Sequence, residues 1–568
     1  MPECRSRLAW GAVLALALAT GCAGIPSHGA VRVGRELPAL GGLGDVDIRV
    51  GPPAPLPGMS PTDIVHGFLR AMVNADGDYE IARAYLTSRA AASWDASSVV
   101  TTYDDSGVQV VPAAATGATR TVSLRAPRIG FIDTRGDFTP RAGTVRSTFQ
   151  LQRQGGEWRI DKLPDGVLLS TLDAQRAFRL ADVYYLNRSA TTLVPEQVLL
   201  QPDPHGVTTA LVRALVQGPG PWLAPAVRSA FPPGTDVLGN VPVDPDGIAE
   251  VNLSASLRLA SAGQLEALSA QLVWTLRQVT EINGVRLLAD GSPVAVPGVG
   301  VDQPRTAWPS YDPAAPPVLT DAFRAGSGGW QGIGADVPGL GPADGLTGVM
   351  LSRDGLRYAG WRLSGLYVGR TGETPTRALT AATFTDPTFD QAGDVFTVAT
   401  RGARRWVAEI TLDGGHRPVA ADPALLARPV QELRLSRDGA RFAAAIGPLN
   451  AARLVVGRVA TVHGQLHLGD LRYVLPGVRD VRGVAWDGAD QLVVTAANPG
   501  GGRELWAVDV DGYGPRTVST AGLTAAPTDV AAAPGQRLLI TAGGSVWLDD
   551  PGGGWRRIGR GSQPAYAD

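Results

Sequence analysis

The sequence predicts a multidomain protein, with two small α+β modules followed by an all-β propeller of about six blades. A chain of 568 residues is too long for a single hydrophobic core. Helical and strand-like periodicities alternate as far as residue 292, which is typical of α+β modules. Beyond about residue 319 only short strands and turns occur, and they repeat at a spacing in the forties. These three observations together predict the fold class.

The overall composition is that of folded modules joined by turn-rich connections. Hydrophobic residues make up 44% of the chain and charged residues 18%, and the formal net charge is -2. Because the chain has no excess of basic residues, it gains little from releasing counterions of a phosphate backbone. We therefore expect no nucleic-acid partner.

The N-terminus has the pattern of an export signal. Arg5 and Arg7 precede an uninterrupted apolar run from Leu8 to Ala19. This run is too short to cross a bilayer, which requires about 20 apolar residues. Residues 1–21 are therefore predicted to be a cleaved signal peptide.

The residues that follow the apolar run indicate a lipid anchor. Small residues stand directly before Cys22, and the sequence Ala19-Thr20-Gly21-Cys22 resembles a lipobox. The only other cysteine, Cys4, lies in the segment predicted to be removed. We expect cleavage between Gly21 and Cys22, S-diacylglycerol and N-palmitoyl groups on Cys22, and anchoring at the outer face of the cell membrane.

Residues 22–60 are rich in Gly and Pro and are predicted to be a flexible tether. The first α+β module is expected over residues 61–180. Ile64, Phe68 and Met72 recur at helical spacing, and a second apolar set predicts another helix near residue 85. The strands that should follow are Val122–Leu124, Arg128–Ile132, Ser147–Gln152 and Trp158–Asp161.

A second α+β module is predicted over residues 181–292. A helix is expected at 207–217, and a strand over 247–253 precedes a longer amphipathic helix. The segments ALVQGPGPWLAPAVRSAFPPGT, GIAEVNLS and AQLVWTLRQVTEINGVRLLADG resemble the GerMN domain. That resemblance implies a binding role without catalysis. Residues 293–318 are rich in Pro and are expected to be a linker or the closing strand of the next unit.

The propeller is predicted for residues 319–568 from a repeated turn. Ser352–Gly355 and Ser436–Gly439 share the sequence Ser-Arg-Asp-Gly, and related turns occur at Asp390, Asp487 and Pro534. The spacings between the turns are 36, 48, 49 and 47 residues. Such a repeat is typical of propeller blades, and a β-solenoid is the alternative.

The order of lipobox, α+β module, GerMN-like module and propeller resembles the LpqB family of actinobacterial lipoproteins. The resemblance covers essentially the whole chain. It implies association with the extracytoplasmic sensor region of the MtrB histidine kinase. Through that kinase it implies an influence on the MtrA response regulator, cell-wall metabolism and division.

We find no motif that predicts catalysis. The sequence has no GxSxG nucleophile elbow and no phosphate-binding glycine loop, so we expect no enzyme and no cofactor. His463 and His467 are four residues apart, but their strand-like surroundings favour a solvated turn over a metal site. The acidic segments at 74–80, 244–246 and 509–511 lack the EF-hand spacing and are predicted to be turns.

Tryptophan is the residue type that offers candidate contact sites. Four tryptophans near the ends of predicted strands are expected in blade cores: Trp361, Trp406, Trp506 and Trp547. Trp222 and Trp330 are flanked by Gly or Pro and are predicted to make exposed contacts.

Three hypotheses of function remain open. The first is a membrane-anchored, non-enzymatic binding and regulatory protein that contacts a sensor kinase or cell-wall glycan. The second is an envelope glycan-binding or glycan-cleaving propeller protein. The third is a scaffold that spaces other envelope proteins.

Overall fold

The structure is a computed structural model, and it describes residues 52–567 except for short gaps. The gaps are 113–117, 203–204, 318–321, 327–328, 334–345, 347, 363–364 and 412. The predicted signal peptide, Cys22 and most of the predicted tether lie outside the described residues. No helix in the described part of the chain is long and apolar enough to cross a membrane.

The first unit packs short helices against one mixed sheet. Its elements are α1 Pro61–Ala71, α2 Asp76–Arg83, α3 Ser88–Ser93, β1 Val100–Tyr103, β2 Gln109–Pro112, β3 Arg120–Ile132, β4 Phe138–Gln154, β5 Glu157–Lys162, β6 Val167–Ser170 and α4 Thr171–Ala177. The strand order is β5-β4-β3-β1-β6, with β2 paired to β3 and with β1 and β6 parallel. The two strands predicted between residues 122 and 132 are one continuous strand, β3.

Helix α1 begins where its sequence carries a capping box. The Ser60 hydroxyl accepts the Asp63 amide at 3.2 Å, and the Asp63 carboxylate accepts the Ser60 amide at 3.3 Å. Ile64, Phe68 and Met72 are all buried in the core of the unit, as the helical spacing predicted.

The end of the predicted tether is not free of the first unit. The Tyr85 hydroxyl donates to the carbonyl of Pro53 at 2.8 Å, and the Gly58 amide donates to the Glu157 carboxylate at 2.8 Å. Met59 packs against the core of the unit. The prediction of a flexible tether is therefore wrong for residues 52–60. Met59 partly buries its apolar side chain on the first unit, and backbone groups of Pro53 and Gly58 form hydrogen bonds with it.

The second unit contains two sheets and two long helices around one core. Its elements are β7 Arg179–Asn187, β8 Leu193–Leu200, α5 Val207–Val216, β9 Val227–Arg228, β10 Ile248–Leu253, α6 Ala262–Leu276, β11 Gly284–Ala289, β12 Ser292–Pro293 and β13 Asp302–Pro304. The sheet orders are β8-β7-β9 and β10-β11-β12, with β13 paired to β11. Helix α6 joins the parallel strands β10 and β11, as a crossover must.

The segment expected to be a linker belongs largely to the second unit. Strand β13 pairs antiparallel with β11, and the Trp308 indole donates to the Ser269 hydroxyl on α6 at 2.8 Å. Trp308 and Tyr311 pack against the core of this unit. The linker prediction for 293–318 is thus corrected: its backbone completes a sheet, and its aromatic rings cover α6.

The third unit consists of successive antiparallel sheets whose first strands contact one another. Between residues 322 and 565 the described residues form six sheets of three to five strands. Contacts join β21 (Thr388–Phe389) to β26 (Val430–Leu435), and β26 to β30 (Arg479–Trp486). They also join β30 to β34 (Pro527–Ala531), and β34 to β38 (Ser562–Ala565). The prediction of an all-β propeller after two α+β units is confirmed. The elements of this unit are β14 Ala322–Gly326, β15 Gly329–Ile333, β16 Gly348–Leu351, β17 Arg357–Arg362, β18 Gly365–Arg370, β19 Thr376–Thr380, β20 Thr383–Phe384, β21 Thr388–Phe389, β22 Val395–Arg401, β23 Arg404–Ile410, β24 His416–Pro418, β25 Ala420–Ala421, α7 Pro423–Leu426, β26 Val430–Leu435, β27 Arg441–Ile446, β28 Arg453–Val462, β29 Gln465–Arg472, β30 Arg479–Trp486, β31 Gln491–Ala497, β32 Arg503–Asp509, β33 Arg516–Val518, β34 Pro527–Ala531, β35 Leu539–Ala542, β36 Ser545–Asp549, β37 Trp555–Arg560 and β38 Ser562–Ala565.

The repeated Ser-Arg-Asp-Gly sequence forms the same tight turn each time. It connects β16 to β17 and β26 to β27, and the related turns connect the corresponding strands of three other sheets. Gly355 and Gly439 have φ values of 70° and 72°, in the left-handed region that a side chain disfavours. We call these five connections the repeat turns.

The ring of sheets closes by pairing the two ends of the unit. Strand β38 pairs antiparallel with β14, which in turn pairs with β15. Phe323 on β14 is fully buried and packs edge-to-face on Trp330 at 5.2 Å between ring centroids. Closure of this kind completes the first sheet with the C-terminal strand β38 and so joins the two ends of the ring.

Candidate functional site at the junction of the three units

The second unit docks on the repeat turns of three sheets of the propeller. The Asn187 side-chain amide donates to Gln391 Oε1 at 2.6 Å and to the Asp438 carbonyl at 3.2 Å. The Gln197 side-chain amide donates to Asp490 Oδ2 at 2.7 Å. Gln391, Asp438 and Asp490 each lie in a different repeat turn. The repeat turns therefore form the surface that receives the second unit.

One of these turns contains a fully buried ion pair. Arg441 Nη2 lies 2.9 Å from Asp438 Oδ2, and the two side chains are 2% and 0% exposed. Asp438 Oδ1 also accepts the Ala440 amide at 2.8 Å, and Arg441 Nη2 donates to the Ala489 carbonyl at 3.1 Å. Ala440 itself packs in the core of the second unit. Its own ion pair and hydrogen bonds thus hold this turn, and Ala440 at its end packs into the core of the second unit.

Trp222, predicted to make exposed contacts, makes its contacts with the propeller. Its indole donates to the Asp470 carbonyl at 2.8 Å, and its own carbonyl accepts from Arg458 Nη1 at 2.6 Å. The Arg472 guanidinium lies over the indole ring, 4.4 Å from the centroid. Arg458 also pairs with Asp470 at 2.7 Å. The side chain is half-buried between the second unit and strands β28 and β29.

Trp330, the other predicted contact residue, lies inside the propeller. It is 9% exposed and packs on Phe323 in the core shared by the first sheets. The prediction of an exposed ring is wrong here, because Trp330 lies in strand β15 rather than in a glycine-rich loop. Among the four tryptophans expected in blade cores, Trp547 is buried, and Trp361, Trp406 and Trp506 pack partly buried against core clusters.

Two carboxyl groups from different units meet beside Trp222. A Cβ atom at Gly220 would lie 2.3 Å from Asp137 Oδ2 and 2.8 Å from Glu196 Oε1, so a larger residue would displace both carboxyl groups. The Gly220 amide donates to both oxygens of Glu196 at 3.0 Å. A cavity of about 40 Å³ adjoins Asp137, Glu196, Trp222 and Arg472, which is room for one or two water molecules. We call this arrangement the junction pair.

Burial shifts both acids of the junction pair toward the protonated form. It raises the pKa of Asp137 to about 6, with a further increase from the charge of Asp133 and a partial offset from Arg135 and Arg472. It raises the pKa of Glu196 to about 7, with a further increase from Asp137 and a partial offset from the Gly220 amide. The junction pair therefore titrates close to neutral pH.

The first unit also reaches the propeller at this point. Phe138 packs edge-to-face on Tyr513 at 5.3 Å between ring centroids, and burial raises the pKa of Tyr513 to about 12. The Leu199 amide of the second unit donates to the Gly136 carbonyl of the first at 2.9 Å. Side chains and backbone groups of all three units thus meet within one site.

A second polar cluster lies on the first strands of the propeller sheets. Asp386 precedes β21, Glu432 and Arg434 lie on β26, and Asp529 lies on β34. Arg434 pairs with Glu432 and lies 3.6 Å from Asp386 Oδ2. Burial, followed by the charge of Asp386, raises the pKa of Asp529 to about 7, and burial raises the pKa of Glu432 well above its usual range.

The histidines and acidic segments considered for metal binding do not converge on one site. The described residues hold no group of three His, Cys, Asp or Glu side chains placed to bind a metal ion. His463 lies in the hairpin turn between β28 and β29, and His467 lies on β29. Asp244 accepts the amides of Asp246 and Ile248, as expected for a turn.

No sequence pattern predicted a role for Asp137, Glu196, Asn187 or Arg472. Each is a single polar residue in a strand or loop, and its partners are distant in sequence. Asn187 and Gln391, for example, are 204 residues apart. A polar residue within an otherwise apolar strand, such as Glu196 in LVPEQVLL, is the one local signal that could have drawn attention to the site.

All three units match known families. Residues 54–175 match the model of the lipoprotein LpqB N-terminal domain, and residues 331–567 match that of the lipoprotein LpqB beta-propeller domain. Residues 182–295 match a model described as sporulation and spore germination, the Germane domain. Lipoprotein LpqB of Thermobifida fusca is 31% identical, covering 98% of this chain and 97% of its own. The chain belongs to the LpqB lipoprotein family.

Other relatives extend the comparison. Lipoprotein LpqB of Streptomyces coelicolor is 30% identical over 98% of this chain and 97% of its own. The first GerMN domain of the sporulation protein GerM from Bacillus subtilis is 24% identical, with a TM-score of 0.20, over 22% of this chain and 97% of that domain. The family relatives are named as lipoproteins and not as enzymes.

Proposed function

We propose that this protein is anchored by lipid on Cys22 to the outer face of the cell membrane. There it acts as a non-enzymatic binding partner of a sensor histidine kinase of the MtrB type. By binding the extracytoplasmic region of that kinase, it influences cell-wall metabolism and division. Family membership and the lipobox before Cys22 support the anchor.

The junction of the three units is the observation that carries the regulatory role. Trp222 ties the second unit to the propeller, and Phe138 and Tyr513 tie the first unit to it. The unit closest to the anchor therefore moves together with the propeller. A body of this kind holds a binding surface at a fixed distance and orientation from the membrane, which suits recognition of a membrane-bound receptor.

The test is a crosslinking pull-down from membranes, with partners identified by mass spectrometry. We expect the wild type to recover the kinase, and Cys22→Ala to lose both membrane association and the kinase. Cys4→Ala is the matched control, because it removes the other cysteine and should behave as wild type. Recovery of glycan fragments with no kinase from wild-type membranes would overturn the proposal.

The alternative is an envelope glycan-binding or glycan-cleaving propeller protein. The cluster of Asp386, Glu432, Arg434 and Asp529 favours it, since a carboxyl group with a pKa near 7 is suited to donating a proton to a leaving group. Release of sugar fragments by the wild type, abolished in Asp529→Asn, would establish this alternative. Equal release from both proteins, or none from either, would reject it.

A further inference from the structure

A second cleft separates the second unit from the propeller and shares no residue with the junction pair. Its volume is about 550 Å³, within the range of cavities that hold small organic ligands. The loop after β7 and residue Arg228 line one wall. The repeat turns at 390–392 and 438–439 line the other wall, together with Thr461. We call it the inter-unit cleft.

Two arginines, Arg188 and Arg228, line one wall of the inter-unit cleft. Arg228 pairs through its backbone with Leu186, and Arg188 follows Leu186 by two residues. Burial lowers the pKa of Arg188, the charges of Asp390 and Glu409 act in the opposite direction, and the positive charge of Arg228 lowers it further. The two guanidinium groups therefore repel each other on the same wall.

Neither guanidinium has a carboxylate partner. Within the described residues, no Asp or Glu oxygen lies within 4 Å of a nitrogen of Arg188 or Arg228, whereas Asp438 of the same cleft pairs with Arg441. Arg188 Nη1 donates to the Thr461 hydroxyl at 2.7 Å, which uses one of its five N–H groups. The wall therefore offers two charged groups that lack an anion.

The opposite wall carries two acids, Asp390 and Asp438. Asp438 pairs with the buried Arg441 at 2.9 Å. The charge of Asp390 stabilises the charged form of Arg188, but its Oδ1 accepts the backbone amides of Ala392 and Asp394, both at 2.9 Å. Burial is the main cause that raises the pKa of Asp390. Polar groups that complete the lining are the hydroxyls of Ser189 and Thr191, which bond each other at 2.9 Å, and the amide of Gln391, which bonds Asn187 and the Arg437 carbonyl and keeps one further N–H. Such groups suit a ligand with several hydroxyl groups.

We propose that the inter-unit cleft binds a small acidic saccharide whose oxyanion lies between Arg188 and Arg228. The oxyanion is a carboxylate or a phosphate, because the guanidinium fork matches both. The hydroxyl and amide groups of Ser189, Thr191 and Gln391 bind the sugar hydroxyls. Since the ligand contacts both the second unit and the propeller, its binding links the two units more tightly. This proposal does not depend on the kinase partnership.

The test is isothermal titration calorimetry on the full-length lipidated protein in detergent micelles. The probes are N-acetylmuramic acid, N-acetylglucosamine 1-phosphate, neutral N-acetylglucosamine and inorganic phosphate. We expect at least one acidic sugar to bind about tenfold or more tightly than the neutral one, the effect of one charge-assisted hydrogen bond. Arg188→Gln and Arg228→Gln should each weaken that binding about tenfold or more. Arg370→Gln, at an exposed site on another sheet, is the matched control.

The comparison between probes identifies the source of the oxyanion. Preference for the muramic acid indicates a carboxylated sugar, and preference for the sugar phosphate indicates a phosphorylated one. Equal binding of neutral and acidic sugars would overturn the proposal, as would binding of inorganic phosphate alone or binding unchanged in both arginine variants. Thermal unfolding of each variant, with a midpoint within a few degrees of the wild type, verifies that a loss of binding is not a loss of folding.

Discussion

Arg441 and Asp438 place opposite charges where almost no solvent reaches them. An ion pair of this kind costs desolvation energy, which is offset in full only when its hydrogen bonds are complete. Here the carboxylate also accepts the Ala440 amide, and the guanidinium also donates to the Ala489 carbonyl, but Arg441 Nε is buried without a hydrogen-bond partner. The pair therefore fixes the shape of the repeat turn rather than adding much net stability.

Removing one member of this pair should be costly. Arg441→Met leaves the Asp438 carboxylate buried without its counter-charge, and we expect it to lower the free energy of unfolding by about 3–5 kcal/mol. Urea unfolding followed by tryptophan fluorescence measures the difference. Arg176→Met, at an exposed pair with Asp173, is the control and should change stability by less than about 1 kcal/mol. A loss as small as that of the control would mean that water reaches Asp438.

The local structure around a residue was predictable from the sequence where a motif repeats. The Ser-Arg-Asp-Gly sequence occurs twice, so the turns that contain Asp438 and Asp354 were expected. The buried ion pair of Arg441 was not, because Arg357 at the equivalent position makes the matching bond to the next repeat turn, at the Ala392 carbonyl, but no ion pair with Asp354 among the described residues. The same local sequence thus has two environments, and only the docking of the second unit distinguishes them.

At the scale of elements, helix α6 shows how far an amphipathic pattern extends. Leu268, Leu272 and Leu276 are buried, as their spacing predicted. Gln271 and Thr275 are buried as well, because they bond the backbone of Tyr184 on β7, at 2.7 and 3.2 Å. The sequence could not reveal this second buried face of α6, because the backbone groups of Tyr184 that it bonds lie about 90 residues away in the chain.

The junction pair predicts a pH dependence of the contact between the first and second units. Folding raises the pKa of Asp137 from 3.8 to about 6 and that of Glu196 from 4.5 to about 7. The folded state therefore holds these protons more tightly, and their contribution to stability is full below about pH 4. It is lost as the pH rises to about 7, on the order of 2–3 kcal/mol per carboxyl group.

Glu196→Gln tests this dependence, because it removes the titration and keeps the shape. The difference in unfolding free energy between pH 5 and pH 8 should be smaller in the variant than in the wild type. Urea unfolding at both pH values gives that difference. Glu281→Gln, at an exposed position, should retain the wild-type dependence. An unchanged dependence in Glu196→Gln would show that Glu196 remains ionised throughout.

Trp222 is the contact that should hold the second unit to strands β28 and β29. Trp222→Ala removes the indole hydrogen bond to Asp470 and the ring beneath Arg472. We expect faster amide hydrogen exchange in β29 and near residue 222, with exchange in the first strands of the propeller unchanged. Trp555→Ala, at an exposed bond to the Ser519 carbonyl, is the control. Exchange at β29 equal to wild type would assign the docking to other contacts.

At the scale of the whole molecule, fold class and unit order were predictable because each unit has its own periodicity. The assembly was not predictable, because its contacts join residues hundreds of positions apart. The corrected linker illustrates the difference: proline content suggested a connection, and the pairing of β13 with β11 makes it part of a sheet. The composition of a segment can be read from the sequence, but whether the segment joins a sheet depends on the strand with which it pairs.

Closure of the propeller gives a prediction at this scale. Removing residues 562–567 deletes β38, which leaves one edge of β14 unpaired and removes the packing between β38 and β34. We expect the cooperative unfolding of the propeller to be lost, while the first two units keep their own transition in calorimetry. Arg560→Ala, an exposed change just before β38, is the control and should unfold as the wild type does. A retained propeller transition in the deletion would show that closure is dispensable.

The pairing of β14 with β38 also determines when the protein can finish folding. Strand β14 leaves the ribosome before the intervening sheets, and its partner β38 follows only after all of them. The first two units can fold while the chain is still being made, but the ring must wait with an unpaired strand edge exposed, a state prone to aggregation. The time between β14 and β38, and the protection of the open ring by chaperones, should therefore limit the yield of this protein more than the stability of its finished fold.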